Sequence, residues 1–185
     1  MIIFAETERL ILREMVPADE HGMFALDSDP EVHRYLGNNP ITDIDQAREV
    51  IKYVRQQYVE NGIGRWAVTE KRTNEFIGWS GLKLVKEVTN SRTDFYDVGY
   101  RLLKKHWGKG YATESARASL KYGFEVLKLK EIFAAAQIEN DASNKVLKKV
   151  GLKFIETFDY KCRMQNWYRI KNEEWLSNEI NKILY

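Results

Sequence analysis

The chain has a single cysteine, Cys162, in 185 residues, so no disulfide can close within it. Its three histidines are scattered, which removes any Cys/His cluster with zinc-ligand spacing, and no metal is expected. No apolar run approaches the roughly 18 residues that a membrane helix needs. The first residues, MIIFAETERL, lack a basic segment followed by a long apolar one, so no secretory signal is expected. An excess of one charge is missing too. Twenty-nine Lys and Arg stand against 27 Asp and Glu, a net +2 that is too near neutral to argue for a nucleic-acid partner. Internal repeats, low-complexity tracts and linker-like stretches are also absent. These absences lead us to expect one cytoplasmic domain over 1–185, with no direct nucleic-acid or membrane partner.

What is present fits a folded protein: 44% hydrophobic and 30% charged residues. Lys104 to Glu114, KKHWGKGYATE, is the most informative stretch. It follows an alternating run, Phe95 to Leu103, which predicts a strand. It precedes an amphipathic run, Tyr111 to Leu127, which predicts a helix. Strand, glycine turn and helix form the physical setting of an anion site. Gly108 and Gly110 permit backbone angles closed to other residues. The helix start offers unpaired N–H groups and the positive end of its dipole. Lys104, Lys105 and Lys109 add charge around it. A Walker A loop is excluded, because Lys109 sits between the glycines. A dinucleotide fingerprint is excluded, because Thr113 takes the place of its third glycine.

Elsewhere the pattern predicts a strand at Thr7–Glu14, a short helix from Pro17 to Asp27 and a helical turn at Asp29–Gly37 that holds a half-exposed His33. Thr42-x-x-Asp45 signals the start of a helix that Asn61-Gly62 ends. Strands follow at Arg65–Lys71 and Glu75–Val85. The inward phase switches in the second of these, which predicts a bulge at Ser80-Gly81. Lys130–Ile138 reads as a strand, Ser143–Val150 as a short helix stopped by Gly151, and Lys153–Arg163 and Gln165–Ile170 as closing strands. A helical tail occupies about 173–185. Cys162 reads as a free core or strand thiol.

GYRLLKKHWGKGYATES resembles the acyl-CoA-binding motif of the Gcn5-related N-acetyltransferases (GNAT), and most closely that of their RimJ/RimL-like ribosomal-protein branch. Lys105 stands where many relatives have Arg or Gln. IENDASNKVLKKVGL resembles the family's N-x-x-S motif, and the likeness extends from TERLILRE to WYRIKNEEW. The resemblance implies an α/β (α+β) GNAT fold. Its central sheet would be mixed, mostly antiparallel and twisted, with about seven strands flanked by helices, and splayed between the fourth and fifth. The helices between the first two strands would cover the acceptor site.

The resemblance also implies acetyl transfer from acetyl-CoA to a primary amine, by direct attack in a ternary complex. The acceptor would be a protein N-terminal α-amine, with a small amine such as a polyamine, amino sugar or amino acid as alternative. A non-catalytic acyl-CoA-binding domain is a third possibility. The pantetheine arm would pair with the backbone of Tyr100, Arg101 and Leu102. The pyrophosphate would lie on Lys105, Gly108, Lys109, Gly110, Tyr111, Ala112 and Thr113. Asn140 would bond the pantetheine amides, and Ser143 would approach the sulfur and protonate the thiolate. Asp97 is the candidate general base, against its reading as a strand carboxylate paired with Arg101. Leu147 replaces a tyrosine that many relatives use as the acid. Glu114 reads as structural, and Trp107 as a packing residue. Acidic residues of the second helix, Asp43, Asp45, Glu49 and Glu60, would favour a polyamine only if they lined the acceptor cleft. A monomer or a homodimer is expected.

Chemically, such a transfer needs a neutral amine, an aligned attack, a stabilised oxyanion and a proton for the leaving thiolate. An α-amine, with pKa about 7.7–8.0, is roughly one-tenth neutral at pH 7. A lysine-type amine, near 10.4, is neutral in only about one molecule in two thousand. An N-terminal acceptor therefore needs only a modest base.

Overall fold

The computed structural model describes residues 1–184. Eight strands form one sheet: β1 (Ile3–Glu6), β2 (Leu10–Arg13), β3 (Trp66–Glu70), β4 (Phe76–Val85), β5 (Phe95–Leu102), β6 (Glu131–Gln137), β7 (Lys153–Asp159) and β8 (Met164–Lys171). Their order across the sheet is β1-β2-β3-β4-β5-β6-β8-β7. The helices are α1 (Glu20–Asp27), α2 (Pro30–His33), α3 (Ile44–Asn61), α4 (Tyr111–Glu125), α5 (Asp141–Lys149) and α6 (Asn172–Leu184). No helix among the described residues is long and apolar enough to cross a membrane.

Every strand pair is antiparallel except β5 with β6. That parallel pair meets only where Asp97 faces Phe133, and the strands diverge beyond it. This is the expected splay. β4 pairs with β5 along its full length, so the gap opens on one side of β5 alone.

Apolar residues divide between the two faces by alternation. Leu10, Leu12, Trp66, Val68, Leu82, Val98 and Leu102 pack with Ala116, Leu120 and Phe124 of α4. On the other face Ala67 joins Met15, Met23, Leu26, Ile51 and Val54, which belong to α1, α3 and the segment before them. A third cluster is aromatic: Phe95, Phe133, Phe158 and Trp167 with Val85. Trp175 of α6 is buried and its ring lies 5.7 Å from that of Phe124.

The structure corrects several expectations. The strand expected at Thr7–Glu14 is β2, and a further four-residue strand, β1, precedes it and pairs with it as a hairpin, so the sheet has eight strands. The bulge is not at Ser80-Gly81. Val68 faces Gly78 and Thr69 faces Phe76, so Ile77 is the extra residue. The phase switch arises there, next to Gly78 at φ 144°. Asp43, not Thr42, caps α3. Its carboxylate accepts from Asp45 N at 2.7 Å and Gln46 completes the box. Gly62, at φ 68°, ends α3 as expected. His33 is buried rather than half-exposed. Cys162 is exposed in the β7–β8 turn, because β7 stops at Asp159.

Candidate active site

Two cavities flank the splay. The first, about 410 Å³, is lined by Tyr100, Arg101, Leu102, Gly108, Gly110, Tyr111, Ala112, Thr113, Asn140 and Ser143. Ten of the twelve sequence-predicted co-substrate residues therefore share one wall. The second, about 350 Å³, holds Asp97 over an aromatic floor of Phe95, Phe158 and Trp167. Tyr35 and Leu36, just after α2, line both cavities.

The turn before α4 is built for close approach to backbone. Gly108 has φ 74° and Gly110, the N-cap of α4, has φ 82°. No side chain caps the helix. The first N–H with an intrahelical acceptor is that of Glu114, bonded to Gly110 O at 3.0 Å. The N–H groups of Tyr111, Ala112 and Thr113 lie ahead of it, at the positive end of a 15-residue helix. Arg9 braces the turn from β2's approach. Its Nη1 donates to Lys109 O at 3.0 Å, its Nε donates to Glu114 Oε2 at 2.7 Å, and its guanidinium lies 4.5 Å over the Tyr111 ring. Glu114 also accepts from the Thr7 hydroxyl at 2.6 Å, a structural role as expected. Nothing local in the sequence marks Arg9, which reaches across 100 residues.

Lys105 and Lys109 do not line the cavity. The Lys105 ammonium pairs with Glu75 instead, outside the anion site. The side-chain contribution expected of Lys105 is corrected on that account.

The open side of β5 follows from its hydrogen-bond parity. Leu103 N bonds to Ile77 O on β4 at 3.0 Å. Alternation along an antiparallel pair then commits Arg101, Gly99 and Asp97 to β4. Val98, Tyr100 and Leu102 turn their backbone groups towards the gap. Leu102 O accepts from Trp107 Nε1 at 2.7 Å. The Tyr100 backbone thus faces a space that no strand fills. Of the expected trio, Arg101 differs. Its Nη1 donates to the buried Asp27 at 2.6 Å, and its guanidinium stacks 5.1 Å over Trp79.

Asn140 and Ser143 stand where β6 meets α5. Asn140 is the N-cap, and its Oδ1 accepts from Ser143 N at 3.1 Å. The cap leaves the Asn140 amide nitrogen available. Ser143 Oγ is 3.0 Å from the Tyr100 hydroxyl, which also donates to Ser143 O at 3.1 Å. Burial pushes the Tyr100 phenol well above its ordinary pKa, so it stays protonated. The sequence offered Tyr100 only as backbone; its phenol comes into play through a contact 43 residues apart.

Asp97 pairs with Arg65, not with Arg101. The Arg65 guanidinium bonds Asp97 Oδ2, and its Nη1 also donates to Asp97 O at 2.7 Å. Among the described residues nothing donates to Asp97 Oδ1. Gly99 makes room for this pair, since a Cβ there would meet Arg65 Nη2 at 2.7 Å. Gly99 thus marks the close approach of an arginine side chain, and the β4–β5 register runs through it without a bulge. Asp97 and Ser143 line different cavities, so the structure does not bring the two catalytic candidates into contact.

Comparison with known proteins identifies the family. Residues 9–153 match the family model described as acetyltransferase (GNAT) domain. An uncharacterized N-acetyltransferase, p20 of Bacillus licheniformis, is 37% identical over 145 residues, 78% of this chain and 79% of that protein. The FsC-acetyl coenzyme A-N(2)-transacetylase of Aspergillus fumigatus is 35% identical over 179 residues, 88% of this chain and 75% of that one. The crystal structure of a GNAT-family acetyltransferase from Bacillus anthracis superposes with a TM-score of 0.76 at 27% identity, covering 94% of this chain and 99% of the other. By family match, by relatives and by fold, this chain belongs to the GNAT acetyltransferases and is an N-acetyltransferase.

Proposed function

We propose that the protein transfers an acetyl group from acetyl-CoA to the α-amine of a polypeptide N-terminus, in the manner of the RimJ/RimL-like branch. The pyrophosphate lies on the N–H groups of Tyr111, Ala112 and Thr113. The pantetheine arm extends along the open backbone of Tyr100 and reaches the Asn140 amide. The amine enters through the second cavity and attacks the thioester carbonyl. A C–N bond forms and the C–S bond breaks. The amine's proton passes to Asp97 Oδ1, directly or through water. The thiolate takes a proton from Ser143 Oγ, which the Tyr100 phenol holds in place by hydrogen bonding, and solvent returns a proton to the serine.

One observation carries the choice of an α-amine: Asp97 is held in an ion pair with Arg65. Arg65 occupies Asp97 Oδ2 and the Asp97 carbonyl, which leaves Oδ1 to receive the amine's proton, and a carboxylate is by nature a modest base towards an amine. Such a base suits an amine that is already about one-tenth neutral at pH 7 and suits a lysine-type amine poorly. The acidic face of α3 gives no support to a polyamine. Asp43, Asp45, Glu49 and Glu60 line neither cavity, and Asp45 and Glu49 pair with Arg48 and Lys52.

A small-molecule amine is the second reading. The Aspergillus relative's name, FsC-acetyl coenzyme A-N(2)-transacetylase, specifies transacetylation at an N(2) position and not at a polypeptide N-terminus, which keeps this reading in view. The deciding experiment is acetyl-CoA turnover with peptides of free and blocked N-terminus beside a panel of polyamines, amino sugars and amino acids. Turnover restricted to small amines would overturn the N-terminal reading. No turnover with any amine would instead favour an acyl-CoA-binding role.

A further inference from the structure

The second cavity has an uneven charge. Five charged side chains line it: Lys83, Glu87, Asp97, Lys161 and Arg163. Both carboxylates are already matched. Glu87 pairs with Lys83 at 3.4 Å, and Asp97 pairs with Arg65. Lys161 and Arg163 have no carboxylate partner among the described residues. Lys161 lies 5.4 Å over the Tyr160 ring, and Arg163 donates one hydrogen bond, to Gly37 O at 3.1 Å. That bond leaves most of the guanidinium's five N–H donors unused.

The backbone that carries these two exposed cations is fixed. They sit in the tight β7–β8 turn, where Tyr160 N bonds Arg163 O at 2.9 Å and Arg163 N bonds Tyr160 O at 3.2 Å. The two central residues both have positive φ, 54° at Lys161 and 62° at Cys162. A turn of this shape is built with least strain by Asn-Gly. Here Lys-Cys stands instead, and the turn carries its lysine at some cost to the backbone. The Arg163 bond to Gly37 ties the turn to the segment whose Tyr35 and Leu36 separate the cavities.

Register supplies a distance. Asp97 faces Phe133, and Gln137 faces Gln165. Four residues of β6 separate those levels, about 13 Å at roughly 3.3 Å per residue. Arg163 lies two residues beyond Gln165. Asp97 and the cationic turn therefore stand well apart along one cavity.

We infer that the acceptor carries an anionic group as well as its primary amine, and that Lys161 and Arg163 hold that group at the outer end. The inference rests on the amine-transfer reading and narrows its substrate class. The anion stands further from the amine than the carboxylate of a free α-amino acid does from its own. An acidic side chain near a peptide N-terminus fits, as does a small ω-amino carboxylate. Polyamines meet repulsion at the turn.

The test uses matched peptides with a free N-terminus and Glu, Gln or Lys at the second and third positions, with 6-aminohexanoate and its amide as the small-molecule arm. For wild type, kcat/KM for the acidic member should exceed that of its amide counterpart by at least tenfold. The arm that shows the preference identifies the source of the anion. The double variant K161Q/R163Q should bring that ratio to about one, and K161E/R163E should invert it towards lysine. Calorimetry with CoA-saturated protein reads the same preference without turnover. Acetyl transfer with no charge preference in wild type, or a preference that survives K161Q/R163Q, overturns the inference and leaves the transfer reading standing. Charge-selective binding without acetyl transfer upholds the anion site and overturns the transfer reading.

Discussion

The Tyr100 phenol stands 3.0 Å from the Ser143 hydroxyl, so β5 and α5 touch through oxygen atoms across the gap in the sheet. Leu147, where many relatives carry a tyrosine, is buried in the core and offers no proton. A tyrosine of the opposite wall, Tyr100, lines the same cavity as Ser143 instead. Ser143→Ala should lower the chemical rate by about ten- to a hundredfold, with a deficit that persists at high pH. Tyr100→Phe should lower it by about tenfold, near 1.4 kcal/mol of barrier. If the two hydroxyls act in series, adding Tyr100→Phe to Ser143→Ala should cost little more. Single-turnover kinetics is the appropriate measurement, because slow product release can hide the step. Full additivity would separate the two roles.

The Asp97 ion pair makes a pH-dependent prediction. Asp97→Asn keeps size and removes the base. Turnover should fall while acetyl-CoA affinity stays near wild type. The loss should shrink as pH rises, since solution then supplies more neutral amine. A deficit that is constant from pH 6.5 to 9.5 would assign Asp97 to holding Arg65 and the strand rather than to proton transfer.

Backbone dominance at the anion site is testable through three positions. Gly110→Val places a β-branched residue at φ 82° and should weaken acetyl-CoA binding by at least tenfold, about 1.4 kcal/mol. Lys109→Ala and Lys105→Ala should each cost less than about threefold, because neither side chain lines the cavity. Loss of binding in either lysine variant, with unchanged affinity in a folded Gly110→Val, would place the phosphates elsewhere.

Two buried histidines set how stability changes below neutrality. Burial pushes His33 below its ordinary value, with Arg101 adding to the effect, and burial likewise depresses His106. Among the described residues neither ring nitrogen of either histidine has a hydrogen-bond partner, and the nearest carboxylates, Asp27 and Glu75, stand 3.7 and 3.6 Å away. Above the unfolded value of 6.5 both states are neutral and the term is flat. Below it the unfolded chain takes up protons that the folded chain resists, so stability falls as pH drops towards the folded values. Urea denaturation at pH 7.5 and 5.5 should show this loss, and His33→Gln should reduce it. An unchanged slope in that variant would remove His33 from the account.

The sequence revealed most where chemistry and local spacing coincide. Gly108, Gly110 and the α4 start follow from three adjacent signals, and Asn140 with Ser143 from a short motif. Gly62 closes α3 as its position announces. Other features are long-range and leave no local trace. Arg65 finds Asp97 across 32 residues and Arg9 finds Glu114 across 105. β1 is hard to see because its four residues, IFAE, show no alternation, whereas Leu10 and Leu12 mark β2. Gly78 and Gly81 share the same φ of 144°, so glycine alone could not locate the bulge beside Ile77. Burial of His33 depends on Arg101 and Asp27, which lie on β5 and α1.

The gap beside β5 has a consequence for how this protein meets its own copies. A strand with unpaired backbone groups is ordinarily a template for a neighbouring chain, and proteins guard such edges with charge, proline or bulges. On β5 the unpaired edge faces inward, towards β6 and α5, and not along an outer border of the sheet. An unbranched chain can thread there, so the fold keeps an adhesive edge without the hazard of displaying it. The outer borders of the sheet are less protected. Ile3 on β1 is 47% exposed, and Phe154 and Ile155 on β7 are 50% and 42% exposed. Self-association at high concentration should therefore begin at those borders and spare the interior strand.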